Sequence, residues 1–93
     1  MPKFNNKPVD VVIDVRTRLE FWFGHLDGSK NIPVTRIETG IASESDVPKD
    51  ARILVYCASG GRSAMAARKL RELGYTCVTD GGGITTARQG FKP

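Results

Sequence analysis

Arg52-Ile53-Leu54-Val55-Tyr56-Cys57-Ala58-Ser59-Gly60-Gly61-Arg62-Ser63 decides the fold of this chain. Its first half is an almost unbroken apolar run, the pattern of a strand covered on both faces, as in the parallel sheets of α/β proteins. Its second half is a tight loop with two glycines. From Ser63 to Leu73, Ala66, Leu70 and Leu73 then recur at i, i+4 and i+7, with Arg68, Lys69, Arg71 and Glu72 between them. Gly74 stands where a glycine ends a helix. The chain therefore passes from buried strand through loop to helix.

Upstream, Val9-Asp10-Val11-Val12-Ile13-Asp14-Val15 repeats the buried-strand pattern and predicts a central strand. Thr17 to Phe23 predicts a short helix ended by Gly24, with Leu19, Phe21, Trp22 and Phe23 as its packing face. Asn31-Ile32-Pro33-Val34 predicts a brief strand, its proline restricted to an edge or a strand end. Ile37 to Ile41 is at best helical, and Ala42 to Asp50 is polar loop. Downstream, Tyr75-Thr76-Cys77-Val78-Thr79 predicts another strand with Cys77 in the core, followed by Gly81-Gly82-Gly83 and a weak helix through Arg88. Strands alternating with helices imply an α/β fold with a mostly parallel sheet. The 93 residues make one domain, 1–93, with no room for a second core.

Two cysteines allow one disulfide, and one histidine leaves too few ligands for a four-ligand zinc site, so neither bridges, metal nor cofactor is expected. No apolar run approaches the ~20 residues that cross a bilayer. The opening Met1-Pro2-Lys3-Phe4-Asn5-Asn6 has no apolar export segment, and the expected location is cytoplasmic, or periplasmic if a signal was removed before this numbering. Residues 1–56 hold eight Lys/Arg and eight Asp/Glu, whereas residues 57–93 hold six and two, so the net charge of +4 lies wholly after Tyr56. These bases are not interleaved with aromatics, which argues against nucleic acid; they suit a solvated helix face and attraction of small anions. A monomer is expected.

In open α/β sheets ligands bind beyond the carboxyl ends of the strands, where Cys57 stands. Gly60 and Gly61 lack Cβ, so the backbone of Ala58, Ser59, Gly60, Gly61, Arg62 and Ser63 is free to curl with its N–H groups inward as an anion nest at a helix N-terminus. Such a nest, with Arg62 as a nearby cation, depresses a cysteine pKa. Cys57 is therefore expected to be a reactive thiolate that solvent reaches.

Three further stretches accompany that loop in a fixed order: Ile13-Asp14-Val15-Arg16; Glu20-Phe21-Trp22-Phe23-Gly24-His25-Leu26-Asp27-Gly28-Ser29-Lys30-Asn31-Ile32-Pro33; and Gly82-Gly83-Ile84. Together with Tyr56 to Ser63 they resemble the rhodanese domain over nearly the whole chain. The short C-terminal end is similar to the small single-domain rhodaneses of the phage-shock-protein E type. The resemblance implies a three-layer α/β/α sulfurtransferase fold with a mostly parallel five-stranded sheet, and a loop cysteine that carries a persulfide. Position by position, it implies Cys57 as nucleophile and the amides of Ala58 to Ser63 as the cradle for the outer sulfur. Asp14, Arg16 and His25 are assigned no catalytic role. Ala87 stands where family members commonly carry a Trp.

Cys-dependent phosphatases use a C-x5-R loop, whereas Cys57 and Arg62 are spaced C-x4-R. One residue fewer removes about 3.8 Å of backbone path, which favours a ring of amides around a single sulfur over one around phosphate. The expected reaction moves sulfur from a small anionic donor such as thiosulfate to a thiol or cyanide, or to a protein acceptor. The rival is a non-catalytic binding or regulatory module of the same fold, though such modules typically lose the loop cysteine.

Overall fold

In the computed structural model, which describes residues 1–93, the chain opens with two short strands, β1 (Lys3–Phe4) and β2 (Lys7–Pro8). The central strand β3 spans Val11–Asp14, followed by helix α1 (Arg18–Phe23), strand β4 (Lys30–Asn31), a 3-10 turn at Val34–Arg36 and helix α2 (Ile37–Ala42). Strand β5 (Arg52–Cys57), helix α3 (Gly61–Glu72), strand β6 (Cys77–Gly83), helix α4 (Ile84–Gly90) and strand β7 (Phe91–Lys92) complete it. Strands β4-β3-β5-β6 form a parallel sheet in that order.

The parallel sheet thus has four strands, where five were expected. The remaining strands form a separate antiparallel sheet, β2-β1-β7, that ties the two chain ends together. The segment expected as a strand at Asn31–Val34 yields only the two residues of β4. Pro33 has no N–H to continue a ladder, and the chain turns into the 3-10 segment behind it.

Side-chain alternation along β5 divides the core. Ile53, Val55 and Cys57 face the layer of α2 and α3, packing with Ile37, Ile41, Ala66 and Leu70. Leu54 and Tyr56 face the opposite layer with Val9, Val12, Leu26 and Ala87. This is the three-layer arrangement that buried-strand patterns require. Ala87 is fully buried in this second cluster.

Two expectations fail at the margins of these layers. Cys77 is exposed at the first residue of β6, the edge strand of the parallel sheet. Helix α1 buries none of its residues, and Leu19, Trp22 and Phe23 project into solvent instead of packing. It is held by polar contacts. Thr17 and Glu20 close a capping box around its first turn, and Arg16 donates to the Gly24 carbonyl at its end.

Candidate active site

Cys57 ends β5 at the carboxyl edge of the sheet, beside Gly83 of β6 across a bulge in the ladder. The chain reverses through Ala58 and Ser59 to Gly60, whose φ of +107° is open only to glycine without strain. That turn aims the Gly60 N–H at the sulfur, 2.9 Å from Cys57 Sγ. Ser63, fully buried in the first turn of α3, holds Oγ 3.0 Å from the Gly60 carbonyl oxygen and 3.4 Å from Sγ: with Cys57 as a thiol the hydroxyl donates to the carbonyl and accepts from Sγ–H, and with Cys57 ionised it is within reach to donate to the sulfur instead. The Ala64 N–H also donates to the Gly60 carbonyl, joining loop and helix. The result is a closed turn around one sulfur atom.

Burial is the largest single influence on the Cys57 thiol and pushes its pKa up. The hydroxyl of Ser63 and the backbone N–H groups of Ser63, Gly60 and Ser59 act in the other direction and together outweigh it, so the thiol ionises below its ordinary value. Arg62, the cation that sequence spacing suggested, is paired first with a carboxylate, and the Cys57 sulfur is a lesser influence on it. Its guanidinium forks onto Glu20 of α1, Nη1 to Oε1 at 2.7 Å and Nη2 to Oε2 at 2.9 Å. That pairing holds the Glu20 carboxyl down at about 2. Neutral hydrogen-bond donors are the main stabilisation of the sulfur, while Arg62 chiefly fastens α1 to the start of α3.

Nor is Cys57 open to solvent as expected: its relative exposure is 0%. One side of the residue is core, and the other is covered by the loop, whose Ala58, Ser59 and Gly61 are exposed.

The other polar residues of the resemblance make no hydrogen bond to the sulfur. Asp14 and Arg16 form a buried bidentate pair, with Nη2 to Oδ2 at 2.7 Å and Nε to Oδ1 at 3.0 Å. His25 is exposed, stacked on Phe21 at 3.7 Å and bonded through Nδ1 to the Phe21 carbonyl oxygen. No three His, Cys, Asp or Glu side chains converge as metal ligands would. No helix is long and apolar enough to cross a membrane.

Two contributors were not assigned roles from the sequence. Glu20 was legible as a capping residue from Thr17-Arg18-Leu19-Glu20, but its partner lies 42 residues away. Gly83 was legible only as part of a glycine run. A Cβ there would stand 2.6 Å from the Ala58 carbonyl oxygen, so the loop rests directly on this glycine.

Residues 3–84 match the model of the Rhodanese-like domain. The thiosulfate sulfurtransferase PspE of Escherichia coli (strain K12) is 38% identical over 73 residues, which cover 77% of this chain and 68% of that protein. The adenylyltransferase and sulfurtransferase uba4 of Ogataea parapolymorpha is 36% identical over 83 residues, 88% of this chain. The chain spans only 21% of that longer protein. Among solved structures, a rhodanese with anions from E. coli superposes with a TM-score of 0.76 at 34% identity, covering 82% of this chain and 88% of that one. Relatives of similar length that are named sulfurtransferases make this a domain of the rhodanese sulfurtransferase type. The chain belongs to the rhodanese-like domain family.

Proposed function

We propose that the chain transfers sulfane sulfur through a persulfide on Cys57, with thiosulfate as a competent donor. The Cys57 thiolate attacks the outer sulfur of thiosulfate; the S–S bond of the donor breaks, and sulfite leaves with the bonding electron pair. The new persulfide keeps its negative charge on the outer sulfur, facing the N–H groups of Ala58 to Ser63. A thiolate or cyanide then attacks that sulfur and the persulfide S–S bond breaks. Cys57 returns as thiolate, and the acceptor leaves as persulfide or thiocyanate. Charge moves from one sulfur to the next in each half-reaction, so preorganised N–H donors suffice and no proton relay is required.

The observation that carries this scheme is the Gly60 N–H aimed at Cys57 Sγ at 2.9 Å, within a loop that lowers the thiol pKa. The loop must lift to admit donor and acceptor, and the glycines at 60 and 61 give it that freedom. Both cysteines are free, and the cycle needs Cys57 reduced, which suits a monomer in the cytoplasm.

Intact-mass measurement after incubation with thiosulfate tests the scheme. The wild-type chain and Cys77→Ser are expected to gain one sulfur atom that cyanide removes, and Cys57→Ser to gain none. An unchanged wild-type mass with several sulfane donors would leave the chain a binding module of this fold.

A further inference from the structure

Four hydrogen bonds fix the Glu20 carboxylate on α1. Its Oε1 accepts from the Thr17 N–H and the Thr17 hydroxyl, each at 3.0 Å, and from Arg62 Nη1 at 2.7 Å, while Oε2 accepts from Arg62 Nη2 at 2.9 Å. The capping box holds the carboxylate to its own helix, and the arginine fork comes to it across 42 residues of sequence.

This pairing decides the charge of the reactive loop. Residues 58–63 contain a single charged side chain, Arg62, and the first turn of α3 contains no acid. A free Arg62 would give the Cys57 turn its one formal positive charge; Glu20 cancels it. The guanidinium is drawn mainly to Glu20, with the Cys57 sulfur a lesser influence, and the Glu20 carboxyl, held at about 2, stays ionised at neutral pH. Each side chain of the pair is 34% exposed, so a dissolved anion meets it as a neutral unit and not as a lone cation.

A sulfur donor has to bring its own charge up to an anionic sulfur. Thiosulfate carries two negative charges, whereas an organic thiosulfonate, in which carbon replaces one oxygen, carries one. Repulsion by the thiolate grows with donor charge, and only a nearby cation offsets it.

We propose that Glu20, by holding Arg62, sets the donor class of the Cys57 turn: it withholds the counter-charge for a second negative charge and so favours sulfane-sulfur donors of single charge, such as organic thiosulfonates. The proposal rests on the Cys57 persulfide scheme, in which thiosulfate remains competent. Glu20 touches no reacting atom and is a positioning residue that acts through Arg62. In the step it governs, the Cys57 thiolate attacks the outer sulfur of the donor and the donor S–S bond breaks. Sulfite leaves thiosulfate, or a sulfinate leaves a thiosulfonate, with the bonding electron pair, and the persulfide forms.

The test measures second-order rate constants for sulfur loading by intact mass, with thiosulfate and with methanethiosulfonate, in the full chain carrying Cys77→Ser so that only Cys57 loads. The donors differ in intrinsic reactivity, so the quantity read is the ratio of the thiosulfate constant to the methanethiosulfonate constant, compared between variants. A change in loop geometry or in Cys57 ionisation acts on both donors and drops out of it. Glu20→Gln keeps the capping box, where Gln serves as Glu does, and removes the charge. Its ratio is expected to rise about tenfold at low salt and to fall back toward the parent value as salt rises. Glu20→Ala gives up the capping bond as well, and its ratio is expected to rise alike. Glu38→Gln removes a carboxylate from the exposed pair with Lys69 and is expected to leave the ratio within about twofold of the parent. An unmoved ratio in Glu20→Gln, a rise confined to one of the two Glu20 variants, or an equal rise in Glu38→Gln would overturn the proposal, the last by making the effect one of net charge. A parent chain that gains sulfur from neither donor removes the persulfide scheme and this proposal together; loading by both donors with an unmoved ratio removes only the latter.

Discussion

Gly83 supports Ala58 from below: a Cβ on residue 83 would come within 2.6 Å of the Ala58 carbonyl oxygen and 3.3 Å of the Ser59 Cα. Both contacts are backbone, which cannot swing aside as a side chain does. Gly83→Ala is therefore expected to push the loop off its seat and cut sulfur loading of Cys57 by at least about tenfold, the scale on which ångström-sized misplacements act. The core beneath is unchanged, so the urea midpoint is expected to move far less than the loading rate does.

The Asp14–Arg16 pair sits at 0% and 7% exposure between the end of β3 and the end of α1. Asp14→Ala leaves a buried guanidinium without its counter-charge, at a cost of about 3–5 kcal/mol, a large share of the stability of a small domain. Urea unfolding followed by circular dichroism measures it. Asp10→Ala breaks an ion pair of similar geometry, Asp10–Arg52, that is exposed at the surface. The midpoint is expected to shift far less for it than for Asp14→Ala.

The strand–loop–helix stretch was legible because its signals are local. A continuous apolar run can only be a covered strand or a buried helix, and Gly60-Gly61 after Cys57 selects the former. What was not legible depends on partners distant in sequence. Nothing near Arg62 announces Glu20, and without Glu20 the arginine is read as the counter-charge of the thiolate. Cys77 reads as core because Thr76-Cys77-Val78 alternates correctly, yet burial depends on whether another layer covers that end of the sheet. The apolar residues of α1 fit a packing face by periodicity alone; capping and ion pairing remove the need for one. Strands of two residues, such as β1, β2 and β7, carry no periodic signal at all.

Acid should expose the role of Glu20. Its carboxyl titrates near 4.5 when free and at about 2 beside Arg62. A group with a depressed folded-state value stabilises fully above its free value and loses that contribution as pH falls through the folded one. Thermal midpoints of the wild-type chain are thus expected to fall more steeply between pH 4.5 and 2 than those of Glu20→Gln. Parallel slopes in that window would show that the pair does not couple α1 to α3.

Ala87 is fully buried against the layer that holds Leu54, Tyr56 and Leu26. Gly81 is close enough that a Cβ there would lie 3.5 Å from the Ala87 methyl. Introducing a large indole, Ala87→Trp, overfills this contact and is expected to destabilise the chain by about 1–3 kcal/mol in urea unfolding. The variant should still load sulfur on Cys57, since the position lies on the face of the sheet opposite α3.

The most direct measurement is the ultraviolet titration of the Cys57 thiolate in Cys77→Ser, with Ser63→Ala beside it. The loop N–H groups and the Ser63 hydroxyl should bring the midpoint below the ordinary cysteine value of 9.0, with sulfur loading rising along the same curve, and Ser63→Ala should move both upward. A midpoint at or above 9.0 in the Cys77→Ser protein would mean that burial prevails over the loop and that Cys57 is not held as an anion.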